Sequence, residues 1–107
     1  MNIAETQKKC YKTAKKRGKF SNGIDRVLLD MHSEVTELSQ ARRKADYSMH
    51  KEMLNNMSKK DAFEFAIKNT IDEEIADVII SCFSLAEHYN IDVEKIIEIK
   101  MKYNEIR

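Results

Sequence analysis

Proline is absent from this chain of 107 residues, and glycine and cysteine each occur only twice. Proline and glycine end helices and form the turns that sheets need, so their scarcity argues against a sheet protein. Charged residues make up 35% of the chain, which is typical of long helices with solvated faces. These features predict an all-α fold, and the length predicts a single domain covering residues 1–107.

Long apolar runs and a strong net charge are missing as well. The longest apolar stretch is too short to cross a bilayer, so we expect no membrane association. The formal net charge of +1 gives no overall argument for binding nucleic acid. Cys10 and Cys82 occur without a secretory hydrophobic segment, so we expect reduced thiols in a cytoplasmic protein.

Apolar residues recur at helical spacing along most of the chain. Gly18 is a natural stop for the first helix, and Asp92 is a natural cap for the last one. The predicted bounds are about Ile3 to Arg17, Ile24 to Arg42, a third helix ending near Tyr89, and Val93 to the C-terminus. We therefore predict an antiparallel bundle of four to five helices.

The start of the third helix is ambiguous. Ser58-Lys-Lys-Asp61 and Thr70-Ile-Asp-Glu73 both resemble capping boxes, so the helix begins at one of them or consists of two pieces. Residues 45–57 have a weaker pattern and are interpreted as a connecting segment that is partly helical.

Two short carboxylate pairs, Glu34-Val-Thr-Glu37 and Glu74-Ile-Ala-Asp77, lie within the second and third predicted helices. Acids three residues apart share one side of a helix, and both pairs border an apolar stripe. Antiparallel packing of these helices would let the four carboxylates converge. One such pair is better explained as a solvated face, but two pairs at core edges favour a site for Mg²⁺, with Mn²⁺ as the alternative.

A di-iron site is the main competitor, and it requires the Glu-x-x-His motif on two helices of the bundle. None of His32, His50 and His88 is preceded by glutamate three residues earlier. The pattern therefore argues against iron.

The ordered set of motifs resembles MazG-like nucleotide pyrophosphohydrolases, which belong to the all-α NTP pyrophosphatases. The resemblance spans most of the chain. It rests on Gln7 to Phe20 with its Arg-Gly-Lys-Phe ending, Leu29 to Ala41, Glu73-Glu-Ile-Ala-Asp-Val-Ile-Ile80, and Lys100-Met-Lys-Tyr-Asn-Glu-Ile-Arg107. It implies hydrolysis of a nucleoside triphosphate between the α and β phosphates, giving a monophosphate and pyrophosphate.

The resemblance also implies roles for individual residues. The Mg²⁺ ligands are Glu34, Glu37, Glu74 and Asp77, and the triphosphate contacts are Lys100, Asn104 and Arg107. The spacing of the last three residues at i, i+4 and i+7 places an ammonium, an amide and a guanidinium on one face of a helix, which suits phosphate oxygens. The resemblance further implies a homodimer or homotetramer, as does the wide apolar face of so small a bundle.

One position departs from the family pattern. The first motif often opens with two successive acids, and Ser33 stands here in place of the first, whereas the second motif keeps Glu73 and Glu74. The group that accepts a proton from the attacking water is therefore open between Glu37 and Glu73.

The base-binding residues are not evident from the sequence. The aromatic candidates are Phe20, Tyr47, Phe63, Tyr89 and Tyr103, although residues of this type more often fill a core. The Met49, Met53 and Met57 segment is interpreted as either an adaptable lid or a subunit contact.

Two functions of other classes remain open. The first is a noncatalytic nucleic-acid-binding or regulatory module using the basic segment Lys8, Lys9, Lys12, Lys15, Lys16, Arg17 and Lys19. The acidity of the remaining chain and the lack of a DNA-reading motif make nucleic acid the less favoured partner. The second is a helical interaction protein without activity, which has no physical need for four clustered acids.

Overall fold

A computed structural model describes residues 1–40 and 51–107. Every regular element in those ranges is helical, which confirms the all-α prediction. The helices are α1 (Ile3–Lys16), α2 (Ile24–Gln40), α3 (Lys51–Asn55), α4 (Lys59–Ala62), α5 (Ile71–His88) and α6 (Val93–Ile106), with a π-helical turn at Phe63–Ile67. Residues 41–50, which include Tyr47, Met49, His50 and the predicted end of the second helix, lie outside the described ranges, as does the Met53 side chain.

Helix α1 begins and ends at the residues that its sequence favours. The Asn2 side-chain oxygen accepts a hydrogen bond from the Glu5 backbone N–H at 3.0 Å, which satisfies a donor that the helix cannot pair internally. Just beyond Lys16, Gly18 has a φ of 78°. That left-handed conformation strains most other residues, so the position of glycine here explains the end of the helix.

Both capping patterns before the third predicted helix are used. Ser58 Oγ accepts from the Asp61 N–H at 3.1 Å at the start of α4, and Thr70 Oγ1 accepts from the Glu73 N–H at 3.4 Å at the start of α5. Between them, the Lys68 N–H donates to the carbonyl of Phe63 at 2.9 Å, an i→i+5 bond. The predicted third helix therefore consists of separate pieces, and the π-helical turn joins them.

The chain divides into two compact units, residues 1–29 with 79–107, and residues 30–78. Both α2 and α5 contribute residues to each unit. The assignment of residues 1–107 to one domain stays a prediction. Within the described ranges, no helix has the length and apolar character that a membrane crossing requires.

In the unit formed by residues 1–29 and 79–107, Gln7 connects α1 to the start of α6. Its side chain is only 3% exposed; Nε2 donates to the Ile91 carbonyl at 2.9 Å, and Oε1 accepts from the Val93 N–H at 3.2 Å. Asn90 precedes this contact with a φ of 56°, and the Asp92 side chain caps α6. Side-chain hydrogen bonds and local backbone conformation thus fix the start of α6.

An aromatic cluster also joins α1 to the last turn of α5 in this unit. The Tyr11 hydroxyl hydrogen-bonds His88 Nδ1 at 2.9 Å, and the Phe20 ring stacks on the His88 ring with centroids 5.0 Å apart. These contacts give Phe20 a packing role.

Fewer apolar side chains are buried than the periodicity predicts. Among the described residues, the buried apolar ones are mostly alanines: Ala14, Ala66 and Ala86, together with Val27 and Leu54. On α2, Leu28 and Val35 remain 48% and 50% exposed. On α6, every residue after Val93 is exposed. The periodicity identified apolar faces, but much of their surface stays exposed in the described part of the chain.

Candidate metal centre

The candidate centre is built on the first turns of α5, in the unit formed by residues 30–78. Thr70 caps this helix and is almost completely buried, with 1% exposure. Its hydroxyl donates to the Ile67 carbonyl at 2.6 Å and accepts from the Glu73 N–H. This double role anchors the helix start and holds the following carboxylates in place.

Three carboxylates of α5 lie close together. Glu73, Glu74 and Asp77 each offer one oxygen, and these three oxygens lie within 4.8 Å of one another. Like charges at this separation repel, so a positive charge beside the three carboxylates would stabilise the arrangement. A divalent cation held by carboxylate oxygens provides that charge.

Two of these side chains carry a buried oxygen without a partner. Neither Glu73 Oε2 nor Glu74 Oε2 has a hydrogen-bond donor within the part of the chain that the structure describes. An unpaired buried acceptor costs free energy, and more so when it is charged. A cation would satisfy both oxygens, so the residues present fit a metal ion, and the all-oxygen donor set fits Mg²⁺ or Mn²⁺.

The acids of α2 contribute to the same electrostatic environment. Burial raises the pKa of Glu74 above its ordinary value, and the charges of Asp77, Glu37, Glu73 and Glu34 raise it further, in that order. Repulsion of this kind requires proximity. The charges of Glu34 and Glu37 therefore act on Glu74, while the closest group of carboxylates consists of Glu73, Glu74 and Asp77.

Glu73, one of the two predicted proton acceptors, also lies among the clustered carboxylates of α5. The sequence singled it out only as a possible proton acceptor, yet its carboxylate belongs to the closest group of three. The capping pattern at Thr70 was the available signal, because it places Glu73 and Glu74 in the first turn of α5. Glu37, the other candidate base, is exposed on α2.

Lys100, Asn104 and Arg107, the predicted phosphate contacts, are exposed on α6 or at its end. They lie in the unit formed by residues 1–29 and 79–107, whereas the carboxylates lie in the other unit. Lys100 Nζ lies 4.7 Å from the centroid of the Tyr103 ring, and the Arg107 guanidinium carbon lies 5.9 Å from it. Two of the predicted phosphate contacts therefore flank one aromatic ring.

The remaining aromatic candidates differ in environment. Phe63 and Tyr89 are 37% and 53% exposed, and Tyr103 is 52% exposed. His32 is exposed on α2, whereas His88 belongs to the aromatic cluster. Neither histidine is part of the group formed by Glu73, Glu74 and Asp77.

The helical elements and the carboxylate cluster define an all-α protein with a candidate divalent-cation centre. A model of the MazG-like family matches residues 48–106, more than half of the chain, and the chain belongs to that family. The match includes Glu73, Glu74 and Asp77, and Glu34 and Glu37 precede it. Comparisons with curated proteins and with solved structures found no match.

Proposed function

We propose that this protein is a cytoplasmic, Mg²⁺-dependent nucleotide pyrophosphohydrolase. It cleaves a nucleoside triphosphate or deoxynucleoside triphosphate between the α and β phosphates, giving a monophosphate and pyrophosphate. The observation that carries the proposal is the carboxylate group Glu73, Glu74 and Asp77 with its two unpartnered buried oxygens, in a chain of the MazG-like family.

Glu34, Glu37, Glu74 and Asp77 hold the metal in this proposal, and Glu73 joins them because its carboxylate lies in the same group. When bound there, Mg²⁺, or Mn²⁺ in its place, would neutralise charge on phosphate oxygens and lower the pKa of a bound water.

A side chain must also accept a proton from the attacking water. Glu37 is exposed, and Glu73 has one buried oxygen, so the two candidates differ in environment. The pH profiles of Glu37→Gln and Glu73→Gln separate them, because loss of the base removes the acidic limb of the kcat profile, whereas loss of a ligand raises the metal concentration required.

Lys100, Asn104 and Arg107 act on the phosphate chain. Their ammonium, amide and guanidinium groups donate hydrogen bonds to phosphate oxygens, and the two cations hold the departing pyrophosphate. Lys100→Ala and Arg107→Ala are expected to raise the KM for triphosphates.

The direct test is pyrophosphate release from a panel of NTPs and dNTPs with Mg²⁺, with Mn²⁺ and with EDTA. Asp77→Asn is expected to abolish metal-dependent release while the helical circular dichroism is retained. Glu98→Gln makes the same change of charge at an exposed position of α6 and serves as the matched control. Unchanged release by Asp77→Asn would refute the assignment.

The alternative, a nucleic-acid-binding module, has one observation in its favour: Lys8, Lys9, Lys12, Lys15, Lys16, Arg17 and Lys19 are all exposed. Clustered exposed cations bind phosphates in a salt-dependent way. Tight, salt-sensitive binding of DNA or RNA without metal-dependent pyrophosphate release would favour this module over the enzyme.

We also propose that the protein forms a homodimer or homotetramer through surfaces that include α6. Ile96, Ile99, Tyr103 and Ile106 follow one another at i, i+3, i+7 and i+10, and each is more than half exposed. This spacing produces an apolar stripe of the kind that pairs helices. Because so short a helix gains little stability by itself, covering the stripe with a second copy would stabilise it.

Sedimentation velocity across a concentration series tests the association. The wild type is expected to sediment as a dimer or tetramer, and Ile99→Lys is expected to shift it toward the monomer. Glu98→Lys, which places the same side chain at the neighbouring position, is the control. A wild type that stays monomeric at high concentration would contradict the association.

A further inference from the structure

A cavity of about 530 Å³ lies within the unit formed by residues 30–78, beside the π-helical turn. Pockets of this size accept small molecules. The residues that line it are Leu54, Asn55, Met57, Lys59, Ala62 and Ile67. None of them has a role in the proposed hydrolysis.

Among the described residues, the wall combines an apolar surface with the polar groups of Asn55 and Lys59. Leu54 is 5% exposed, Ala62 and Ile67 are half-buried, and the Met57 thioether is a flexible group that packs well against aromatic rings. Asn55 supplies an amide with both donors and an acceptor, and Lys59 supplies a cation. This combination suits a flat heterocycle with hydrogen-bonding groups on its edge and a negative charge attached to it.

The cavity wall is connected by hydrogen bonds to the helix that carries the carboxylates. The carbonyl of Ile67, a wall residue, accepts from both the hydroxyl and the N–H of Thr70, at 2.6 and 3.1 Å. Thr70 in turn caps α5, and Glu74 follows four residues later, roughly 6 Å along the helix axis at 1.5 Å per residue. The cavity wall and the carboxylate centre therefore adjoin along the chain, within the same unit.

We propose that this cavity binds the nucleobase of the nucleotide whose phosphates the carboxylate centre holds, which rests on the proposed function. Asn55 pairs with the edge of the base, and Leu54, Met57 and Ile67 contact its faces. The π-helical turn contributes by placing Ile67 in the wall while the chain continues directly to the Thr70 cap.

Binding of nucleosides without phosphate tests the cavity separately from hydrolysis. The wild-type protein in EDTA is titrated with uridine, thymidine, cytidine, adenosine and guanosine, and NMR chemical shifts are followed. At least one nucleoside is expected to shift the Asn55 side-chain amide and the methyl groups of Met57 and Ile67. Shifts confined to the Tyr11, Phe20 and His88 cluster would overturn the proposal.

Kinetics of substitution variants give a second readout. Asn55→Ala is expected to raise the KM for the preferred triphosphate about fivefold, the effect of losing one hydrogen bond, with kcat changed less than about twofold. Asn56→Ala is the matched control, because Asn56 directly follows α3 and its side-chain amide donates to the Glu52 carbonyl of that helix at 3.3 Å. Equal KM values for the wild type and Asn55→Ala would overturn the assignment of Asn55.

The two proposals fail in different ways. If the protein releases pyrophosphate but nucleosides do not change the chemical shifts of the cavity residues, the base site is overturned and the hydrolase proposal stands. If nucleosides change the chemical shifts of the cavity residues but the protein releases no pyrophosphate, the base site is supported and the hydrolase proposal is overturned.

Discussion

Replacing Glu74 by glutamine tests the candidate metal centre most sharply, because it removes one charge and keeps the size of the side chain. The carboxylate oxygens of Glu73, Glu74 and Asp77 lie within 4.8 Å of one another. Two unit charges about that far apart repel by about 1 kcal/mol in a medium like water, and salt reduces this further. Without metal, Glu74→Gln should therefore raise the free energy of unfolding by roughly 1 kcal/mol, or about 4 °C in Tm.

With Mg²⁺ bound, the wild type should instead be more stable than Glu74→Gln. Wild-type protein gains RT ln(1 + [Mg²⁺]/Kd), which is about 2.7 kcal/mol at a hundredfold excess over Kd, whereas the variant has lost a ligand and gains far less. Thermal melts in EDTA and in Mg²⁺ are thus expected to cross: the variant is the more stable protein in EDTA and the less stable one in Mg²⁺.

The pH dependence has a definite sign. Because the folded-state pKa of Glu74 is raised above 4.5, the folded protein binds this proton more tightly than the unfolded chain does. Metal-free wild type should lose stability as the pH rises from about 4.5 through the raised pKa, and Glu74→Gln should lack this loss.

Glu98→Gln is the control for net charge, and its melts should follow those of the wild type in both buffers. Equal stabilisation of the wild type and Glu74→Gln by Mg²⁺ would refute the metal site. A variant less stable than the wild type in EDTA would refute the repulsion between the carboxylates.

Three further substitutions test the contacts that position the helices. Gln7→Leu leaves the Ile91 carbonyl and the Val93 N–H without their Gln7 partner, so urea denaturation should show a loss of about 2 kcal/mol; unchanged stability would contradict the contact. Thr70→Val removes the cap of α5 and should lower the free energy of unfolding by about 1 kcal/mol, and Thr70→Ser should restore it. Tyr11→Phe keeps the ring contacts but loses the hydrogen bond to His88, so thermal melts should show a loss of about 1 kcal/mol, and an unchanged Tm would count against that bond.

Helix positions could be predicted from the sequence because caps and stops act locally. Gly18 and Asp92 each stand at a helix end for a reason that involves only a few neighbouring residues. The π-helical turn could not be predicted in this way. It differs from an α-helix by one inserted residue, which leaves the apolar spacing on both sides nearly unchanged.

The candidate site was predictable only in part. The spacing of Glu34 with Glu37 and of Glu74 with Asp77 predicted carboxylates on one side of each helix, and the charges of the other three raise the pKa of Glu74. The place of Glu73 in the group depends on how Thr70 caps α5, and the sequence pattern does not specify that geometry. Periodicity likewise shows that a helix face is apolar, but burial depends on what covers it.

The Gln7 contact, the Asn90 conformation and the Asp92 cap together have a consequence for assembly. They order the beginning of α6 within one chain, independently of the second copy proposed to cover Ile96 and Ile99. Association through a helix that is already formed loses less conformational entropy than association coupled to folding. In the proposed oligomer, α6 would then dock as a preformed helix, at the rates of about 10⁵–10⁷ M⁻¹s⁻¹ usual for protein encounters, and a substitution that loosens Gln7 would slow the assembly without touching the interface.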